Sequence, residues 1–461
     1  MTPETLCVHK DRPIREAIAC MESGGLQIAF VVDAEGRLEG VVTNGDLRRY
    51  FLKHHDSDRP VSACMNRAFH AVEADAPREK LLKIFDLGYH AIPALDAQGR
   101  IREIHTRAMS ARAESPVLAR ARAPVRMSFC GGGSDLTQFF IDHAAAVLSC
   151  TVALYAHVTL IPRADARIRI FSQDIDREED YPSLAALQAA PEKGLVATVI
   201  AVLAPTGGFD LYLRSDFPVG SGLGGSSAVA TATVAAFNEL RQDRWNTYDI
   251  AELAFQAERL CLGVAGGWQD QYASAFGGLN LIEFEHAGNR VHPIRLEEHT
   301  KNELETCLML VNTGMTHDSN RLHEVLREEW QAESAAGESA QTALVQQNVA
   351  LCRRMHHDLI RGELIAFGRA LQETWRLKKA FFPAASTPQL DRIHDAVLAA
   401  GALGGKLLGA GAGGFFLFYV EPQHRRAVIR AVEAQGCVTT DFRFEPQGVT
   451  SWRSKISGLP A

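Results

Sequence analysis

No apolar stretch in residues 1–461 is both long and unbroken enough to read as a bilayer span. The most membrane-like run, 144–161, is interrupted by Ser149, Thr151, His157 and Thr159, and its β-branched content favours buried strand. The opening residues, Met1 to Thr5, lack a basic segment followed by an apolar one, so no secretory signal is expected. Cys-x-x-Cys is also missing. The nine cysteines (Cys7, Cys20, Cys64, Cys130, Cys150, Cys261, Cys307, Cys352 and Cys437) are scattered and odd in number, which reads as reduced core thiols of a soluble, cytoplasmic protein rather than a disulfide framework or a structural zinc site. Positive charge is not in excess. Lys and Arg number 48 against 55 Asp and Glu, a net charge of -7, so no basic field for nucleic acid is present.

Glycine is concentrated where it matters. Pro218-Val-Gly220-Ser221-Gly222-Leu223-Gly224-Gly225-Ser226-Ser227-Ala228 joins two segments of different period. Before it, Phe209, Leu211 and Leu213 alternate with Asp210, Tyr212 and Arg214, as in a half-buried strand. After it, Ser226 to Leu240 is rich in Ala and Val and free of Gly and Pro, which predicts a buried helix. Glycines let backbone N–H groups turn inward, and the helix start adds a positive dipole end, so the loop is built for an anion such as phosphate.

Two other phosphate motifs are set aside. A Walker loop needs Gly-x-x-x-x-Gly-Lys-Ser/Thr, and no lysine lies between Pro218 and Leu240. Gly220-x-Gly222-x-x-Gly225 formally matches the dinucleotide fingerprint, which requires a second strand about 20 residues on. Here Ile250, Leu253, Ala254, Ala257 and Leu260 have helical spacing instead. A second formal match, Gly409-x-Gly411-x-x-Gly414, precedes the aromatic strand pattern 415–420 and opens no helix.

Residues 1–115 contain a degenerate repeat. Val31-Val-Asp-Ala-Glu-Gly-Arg-Leu38 returns as Ala94-Leu-Asp-Ala-Gln-Gly-Arg-Ile101, each preceded by an amphipathic helical pattern, 14–21 and 79–87, and each containing a hairpin turn of Asp-x-x-Gly type. The halves are expected to stack on one another. This repeat resembles a tandem pair of CBS motifs. Gly40-Val-Val-Thr43-Asn-Gly-Asp46 is similar to their ribose-binding Gly-x-x-Thr-x-x-Asp pattern, and the second copy, at Thr106, lacks the aspartate. The resemblance implies an adenine nucleotide at Thr43 and Asp46, or an oligomerising module such as would make a homodimer. Ala111 to Pro124, small, basic and proline-punctuated, reads as a linker into a second domain.

Three further segments carry chemistry. In Arg126-Met-Ser-Phe-Cys-Gly-Gly132-Gly133-Ser134-Asp135, Val125, Met127 and Phe129 would face a core while Arg126 and Ser128 point elsewhere, and Ser134 and Asp135 could hydrogen-bond vicinal hydroxyls. Glu258 lies on the predicted helix, and Asp270 opens a segment bracketed by glycine pairs, so both carboxylates can turn toward the phosphate loop. Magnesium bound to ATP wants a few hard oxygens, and a second carboxylate can take a substrate proton. Gly401 to Phe418, a glycine-rich turn entering an apolar strand, would wall the site or contact phosphate.

Taken in order, these segments resemble the GHMP small-molecule kinases over roughly residues 120 to 440. Pro-x-Gly-x-Gly-Leu-Gly-x-Ser-Ser-Ala is specific for that superfamily. The resemblance implies an α+β, two-lobed fold, with a left-handed βαβ-containing N-terminal lobe (116–300) and a ferredoxin-like C-terminal lobe (301–461), preceded by the α/β CBS pair (1–115). It implies that Gly220 to Ser227 hold the ATP phosphates, Ser227 and Glu258 coordinate Mg2+, Asp270 and Arg126 are catalytic, and Asp135 binds sugar with its neighbours Gly132, Gly133 and Ser134. The Arg126 to Leu136 segment most resembles the Arg-Ile-Ser-Phe-Ala-Gly-Gly-Gly-Thr-Asp-Leu form of D-glycero-D-manno-heptose 7-phosphate kinases. Ser134, Gly225 and Ala412 depart from the usual threonine, serine and glycine. Phosphorylation of an anomeric hydroxyl is the implied activity. Lys378, in Trp375-Arg376-Leu-Lys378-Lys379, is the candidate for a substrate phosphate. Galactose, fucose or an N-acetylhexosamine are alternative substrates, and a non-catalytic sugar and nucleotide sensor is the alternative class, though it would not need Ser227, Glu258 and Asp270 together.

Overall fold

The computed structural model describes residues 3–107, 117–315, 322 and 340–455. The chain divides into two compact units, 1–113 and 114–461.

The first unit is the repeat made structural. Strand β1 (Cys7–His9) runs parallel to β2 (Ile28–Val32), which forms an antiparallel hairpin with β3 (Leu38–Thr43). The second copy repeats this order with β4 (Val72–Glu73), β5 (Ala91–Leu95) and β6 (Ile101–Thr106). Each hairpin closes on the same device. Asp33 Oδ1 accepts from the N–H groups of Glu35 (3.0 Å) and Arg37 (2.8 Å), and Asp96 Oδ1 from those of Gln98 (2.9 Å) and Arg100 (2.9 Å), the aspartate turn that fixes such loops. The two turns meet, with Leu38 N–H donating to Gly99 O at 3.0 Å. Thr43 caps the helix Asn44–Phe51, and its side chain and that of Asp46 form a reciprocal capping box. Asp46 also pairs with Arg49.

The second unit has two sheets. The larger has eight strands: β7 (Val117–Cys130), β8 (Ala145–Pro162), β9 (Ile168–Ser172), β10 (Arg177–Tyr181), β11 (Phe209–Ser215), β12 (Leu279–Glu285), β13 (Gly288–Pro293) and β18 (Thr450–Lys455). They are ordered β10-β9-β11-β8-β12-β13, with β7 between β8 and β18. The smaller is a four-stranded antiparallel sheet of β14 (Leu308–Asn312), β15 (Gly404–Leu407), β16 (Phe415–Tyr419) and β17 (Val438–Thr440), ordered β15-β16-β14-β17. One continuous core joins the elements of this unit, from Ala119 in β7 to Val432 in the helix Arg425–Ala434. The membrane-like run is the single long strand β8, and among the described residues no helix is long and apolar enough to cross a membrane.

The linker reading needs correction. Residues 111–116 lie outside the described residues, but 117–124 already belong to β7. Ala119, Ala121 and Ala123 are fully buried, so the Ala/Arg alternation that looked like linker composition is a strand of period two with small residues on its covered face. Pro124 is accommodated because the register with β8 shifts between Pro124 and Val125.

Candidate active site

One cavity of about 530 Å³ is lined by residues from Arg126 to Ala410. Its floor is β7. Val125, Met127 and Phe129 enter the core, while Arg126 and Ser128 lie beneath the cavity.

Above them the glycine loop leads into the helix Gly225–Leu240. Gly220, Gly222 and Gly224 all have positive φ near 75°, a conformation open to glycine. Gly220, Ser221, Gly222, Gly224, Gly225 and Ser226 line the cavity. Leu223 does not. Its side chain is fully buried, and its carbonyl accepts the Arg126 N–H at 2.9 Å, locking the loop to β7. The second glycine-rich segment packs against the back of the first, since a Cβ added at Gly409 would lie 2.6 Å from the Gly222 Cα. Gly409 and Ala410 are therefore wall.

Arg126 and Asp270 form the centre. Arg126 Nε and Nη2 reach Asp270 Oδ1 at 2.8 and 2.6 Å, and Nη1 donates to Gly222 O at 2.8 Å. Asp270 Oδ2 is left facing Arg259 Nη2 at 3.9 Å, so one carboxylate oxygen is tied down and the other is available. Asp270 stands in the first turn of the helix Gln269–Phe276, where the dipole favours a negative side chain.

Asp135 is the second cavity carboxylate, 2% exposed. It accepts from Gly133 N at 3.0 Å and from Gln269 N and Nε2 at 3.2 and 3.0 Å. Gly267 permits that approach, because a Cβ there would lie 1.9 Å from Asp135 Oδ2. Burial, reinforced by the charge of Asp270, raises the Asp135 pKa above the ordinary 3.8.

Glu258 is fully buried. The helix Thr247–Phe255 passes into a π-helical turn, Gln256–Cys261, a distortion common at functional sites. Glu258 Oε1 accepts from Ser226 Oγ at 2.5 Å, and Oε2 from Ser227 Oγ at 2.7 Å and Gln271 Nε2 at 2.7 Å. Ser226 is exposed in the cavity, while Ser227 and Glu258 are fully buried behind it. Among the described residues no group of three or more His, Cys, Asp and Glu side chains gathers as a metal site.

Ser134 is likewise no part of the cavity wall. Its buried hydroxyl donates to Gly131 O at 2.7 Å, bracing the turn that presents Gly132, Gly133 and Asp135. Of the basic cluster, Lys378 lines the cavity, while Lys379 pairs with Asp391 at 2.8 Å and Trp375 is buried in the core. The sequence reading assigned no role to Lys406, Arg259 or Gln269, all of which line the cavity. Ser128, which the same alternation turns away from the core with Arg126, lines the cavity as well.

A glycine loop at a helix start, a paired carboxylate and arginine, and a serine bonded to a buried glutamate meet at this cavity. The family pattern described as "GHMP kinases N terminal domain" matches residues 192–278, that of "GHMP kinases C terminal" matches 355–436, and that of the CBS domain matches 1–53. The chain is 33% identical over 341 residues to D-glycero-alpha-D-manno-heptose 7-phosphate kinase of Campylobacter jejuni, covering 72% of this chain and 98% of that protein. It is 26% identical to the L-fucokinase/L-fucose-1-P guanylyltransferase of Bacteroides fragilis over 70% of this chain and 37% of that longer protein. Among solved structures, a D-glycero-D-manno-heptose 1-phosphate kinase from Bacteroides thetaiotaomicron is similar with TM-score 0.59 and 28% identity, covering 72% of this chain and 98% of that one. The chain belongs to the GHMP kinases. Within them it is an ATP-dependent sugar kinase, carrying a CBS domain at its start.

Proposed function

We propose that this kinase transfers the γ-phosphoryl group of ATP to the anomeric hydroxyl of D-glycero-D-manno-heptose 7-phosphate, giving the 1,7-bisphosphate for nucleotide-activated heptose synthesis in the cytoplasm. The observation that carries the reading is the 33% identity to the Campylobacter enzyme across 98% of its length.

Phosphoryl transfer needs positioning and electrostatic stabilisation more than covalent chemistry from the protein. The amides of 220–226 and the helix start cradle the nucleotide phosphates. Arg126, held by Asp270 and Gly222 O, stabilises charge that develops on the transferred group. Asp270 Oδ2 orients the anomeric hydroxyl and takes its proton. Asp135, with Gly132 and Gly133, holds sugar hydroxyls, and Lys378 meets the substrate phosphate. Ser226 and Glu258 would supply two hard oxygens to Mg2+, with Ser227 and Gln271 steadying the glutamate. Bound there, the ion would neutralise the outer phosphates.

Residues 1–115 act as the regulatory or oligomerising module, through an adenine nucleotide or a homodimer, with the kinase N- and C-terminal lobes following at 116–300 and 301–461. A nucleotide reaching Thr43 and Asp46 must compete with their mutual capping bonds.

The test is ADP release across heptose 7-phosphate, free heptose, galactose, fucose and N-acetylhexosamines, with 31P NMR of the product. Heptose 7-phosphate is expected to exceed every free sugar in kcat/KM by about tenfold or more. Turnover confined to free sugars would discard the assignment.

A further inference from the structure

Two lysine ammonium groups in the cavity are hydrogen-bonded to backbone carbonyls. Lys378 Nζ, on the helix Leu364–Phe381, donates to Gly409 O at 2.5 Å, and Lys406 Nζ, on β15, donates to Ser128 O at 2.5 Å. Both line the cavity, and Lys406 is 5% exposed. Neither forms an ion pair with a carboxylate among the described residues. Lys378 Nζ also lies 5.9 Å from the centroid of the Trp375 ring, and a buried charge without a counter-ion is expensive.

The nearest acids do not supply one. Asp270 is engaged by Arg126, and Asp135 accepts three hydrogen bonds from Gly133 and Gln269. Beside Lys406, Ser128 lines the cavity and is 5% exposed, and its buried hydroxyl has no hydrogen-bond partner among the described residues. Two ammoniums and a vacant hydroxyl donor describe a receptor for a doubly charged oxyanion.

We propose that Lys378, Lys406 and Ser128 form a dianion pocket that holds the phosphate already present on the sugar, so that the pocket selects phosphorylated over free sugars. This rests on the sugar-phosphate reading above. A phosphate dianion has two sources here, the sugar and the γ-phosphate of ATP. The sugar is favoured because Lys406 and Ser128 meet at β7, beside the turn carrying Gly132, Gly133 and Asp135. The nucleotide phosphates already have the loop amides and a helix start.

Burial, before any neighbouring charge, lowers both lysines, Lys378 well below the ordinary 10.5 and Lys406 to about 8. The charged and titratable groups acting on the pair are Arg126, Asp135, Cys130 and Cys352, besides Lys406 on Lys378. An ammonium is lost as pH rises through its pKa, so anion affinity in the free protein should fall between about pH 7 and 9. Sulfate is the probe for this, because it stays doubly charged throughout.

The experiment uses the full chain with K378M, K406M, K406R and the double methionine variant. Calorimetry with sulfate and with inorganic phosphate on nucleotide-free protein should show binding to wild type, about tenfold weaker binding to each methionine variant, and none to the double. K406R should retain the binding. With heptose 7-phosphate, each methionine variant should raise KM about tenfold or more, while the Kd of ATP moves less than twofold and the preference over free heptose collapses toward one. Thermal melts guard against misfolding: without ligand, K406M should melt at or above wild type, because an uncompensated buried charge has gone. Unchanged sulfate binding together with an unchanged KM for the sugar phosphate would overturn the pocket while leaving the kinase assignment intact. A tenfold loss of ATP affinity with the sugar KM unmoved would assign the lysines to the γ-phosphate and overturn the proposal. Loss of sulfate binding in the variants, in an enzyme inert to heptose 7-phosphate, would keep the anion site and discard the heptose assignment.

Discussion

Replacing Asp270 by asparagine separates its two structural duties. Its Oδ1 accepts both Arg126 bonds, at 2.8 and 2.6 Å, and an asparagine oxygen can accept them with almost unchanged shape. These bonds pass from charged-pair to charged–neutral strength. Arg126 keeps its charge, so each bond stays within the range of about 1.5–3 kcal/mol for a hydrogen bond to a charged group, and the fold should survive. The other oxygen, Oδ2, becomes an NH2 group that cannot take a proton. A missing general base typically lowers the rate by about 10²- to 10⁴-fold, or about 2.7–5.4 kcal/mol of barrier. ATP binding should stay within about threefold, because Arg126 still holds Gly222 O. Steady-state ADP release gives the turnover and titration calorimetry the nucleotide affinity. A variant retaining more than about a tenth of wild-type turnover would show that Asp270 is not the base. ATP affinity weakened well beyond threefold would show instead that the residue acts by shaping the glycine loop.

Three other outcomes are expected. If both oxygens serve one ion as proposed, Ser226→Ala and Glu258→Gln should each raise the magnesium concentration for half-maximal rate, and the double variant should lose much less than the two effects combined; simple additivity in a magnesium titration would assign them separate jobs. Ala412 has φ 58°, a left-handed conformation that costs an L-residue about 1–2 kcal/mol. Allowing for the greater unfolded freedom of glycine, Ala412→Gly should stabilise the second unit by about 0.5–1 kcal/mol in urea unfolding, and a destabilised variant would refute the strain. A chain starting near Glu114 should fold and keep its sugar preference, because every cavity-lining residue lies between Arg126 and Ala410; a folded but inert product would place part of the active site in residues 1–113.

The glycine loop, the helix after it and the cavity position of Asp270 were legible because each rests on a local rule: strand period, glycine φ, the missing lysine. What escaped was direction and distance. Ser226 and Ser227 are neighbours on a helix, so their side chains diverge by about 100°, and no motif says which hydroxyl meets the cavity. Ser134 and Asp135 pose the same problem at a turn. Lys406 and Ser128 come from distant segments, and only the approach of the two lobes places an ammonium against the Ser128 carbonyl. The start of β7 was hidden because Ala and Arg in alternation have linker composition as well as strand period. Only the burial of Ala119, Ala121 and Ala123 separates the two.

The pairing of β18 with β7 also sets an order of events in synthesis. Residues 1–113 close their two small sheets with strands near in sequence, so they can fold while the rest is still being made. Strand β7 emerges next, yet the outer edge of its first part, 117–122, is paired only by residues 450–455, after both lobes have left the ribosome. Until then that strand edge stands unpaired, an arrangement prone to mispairing with another chain. Slow closure of that edge, and not the local steps at the active site, should therefore limit the yield of active enzyme.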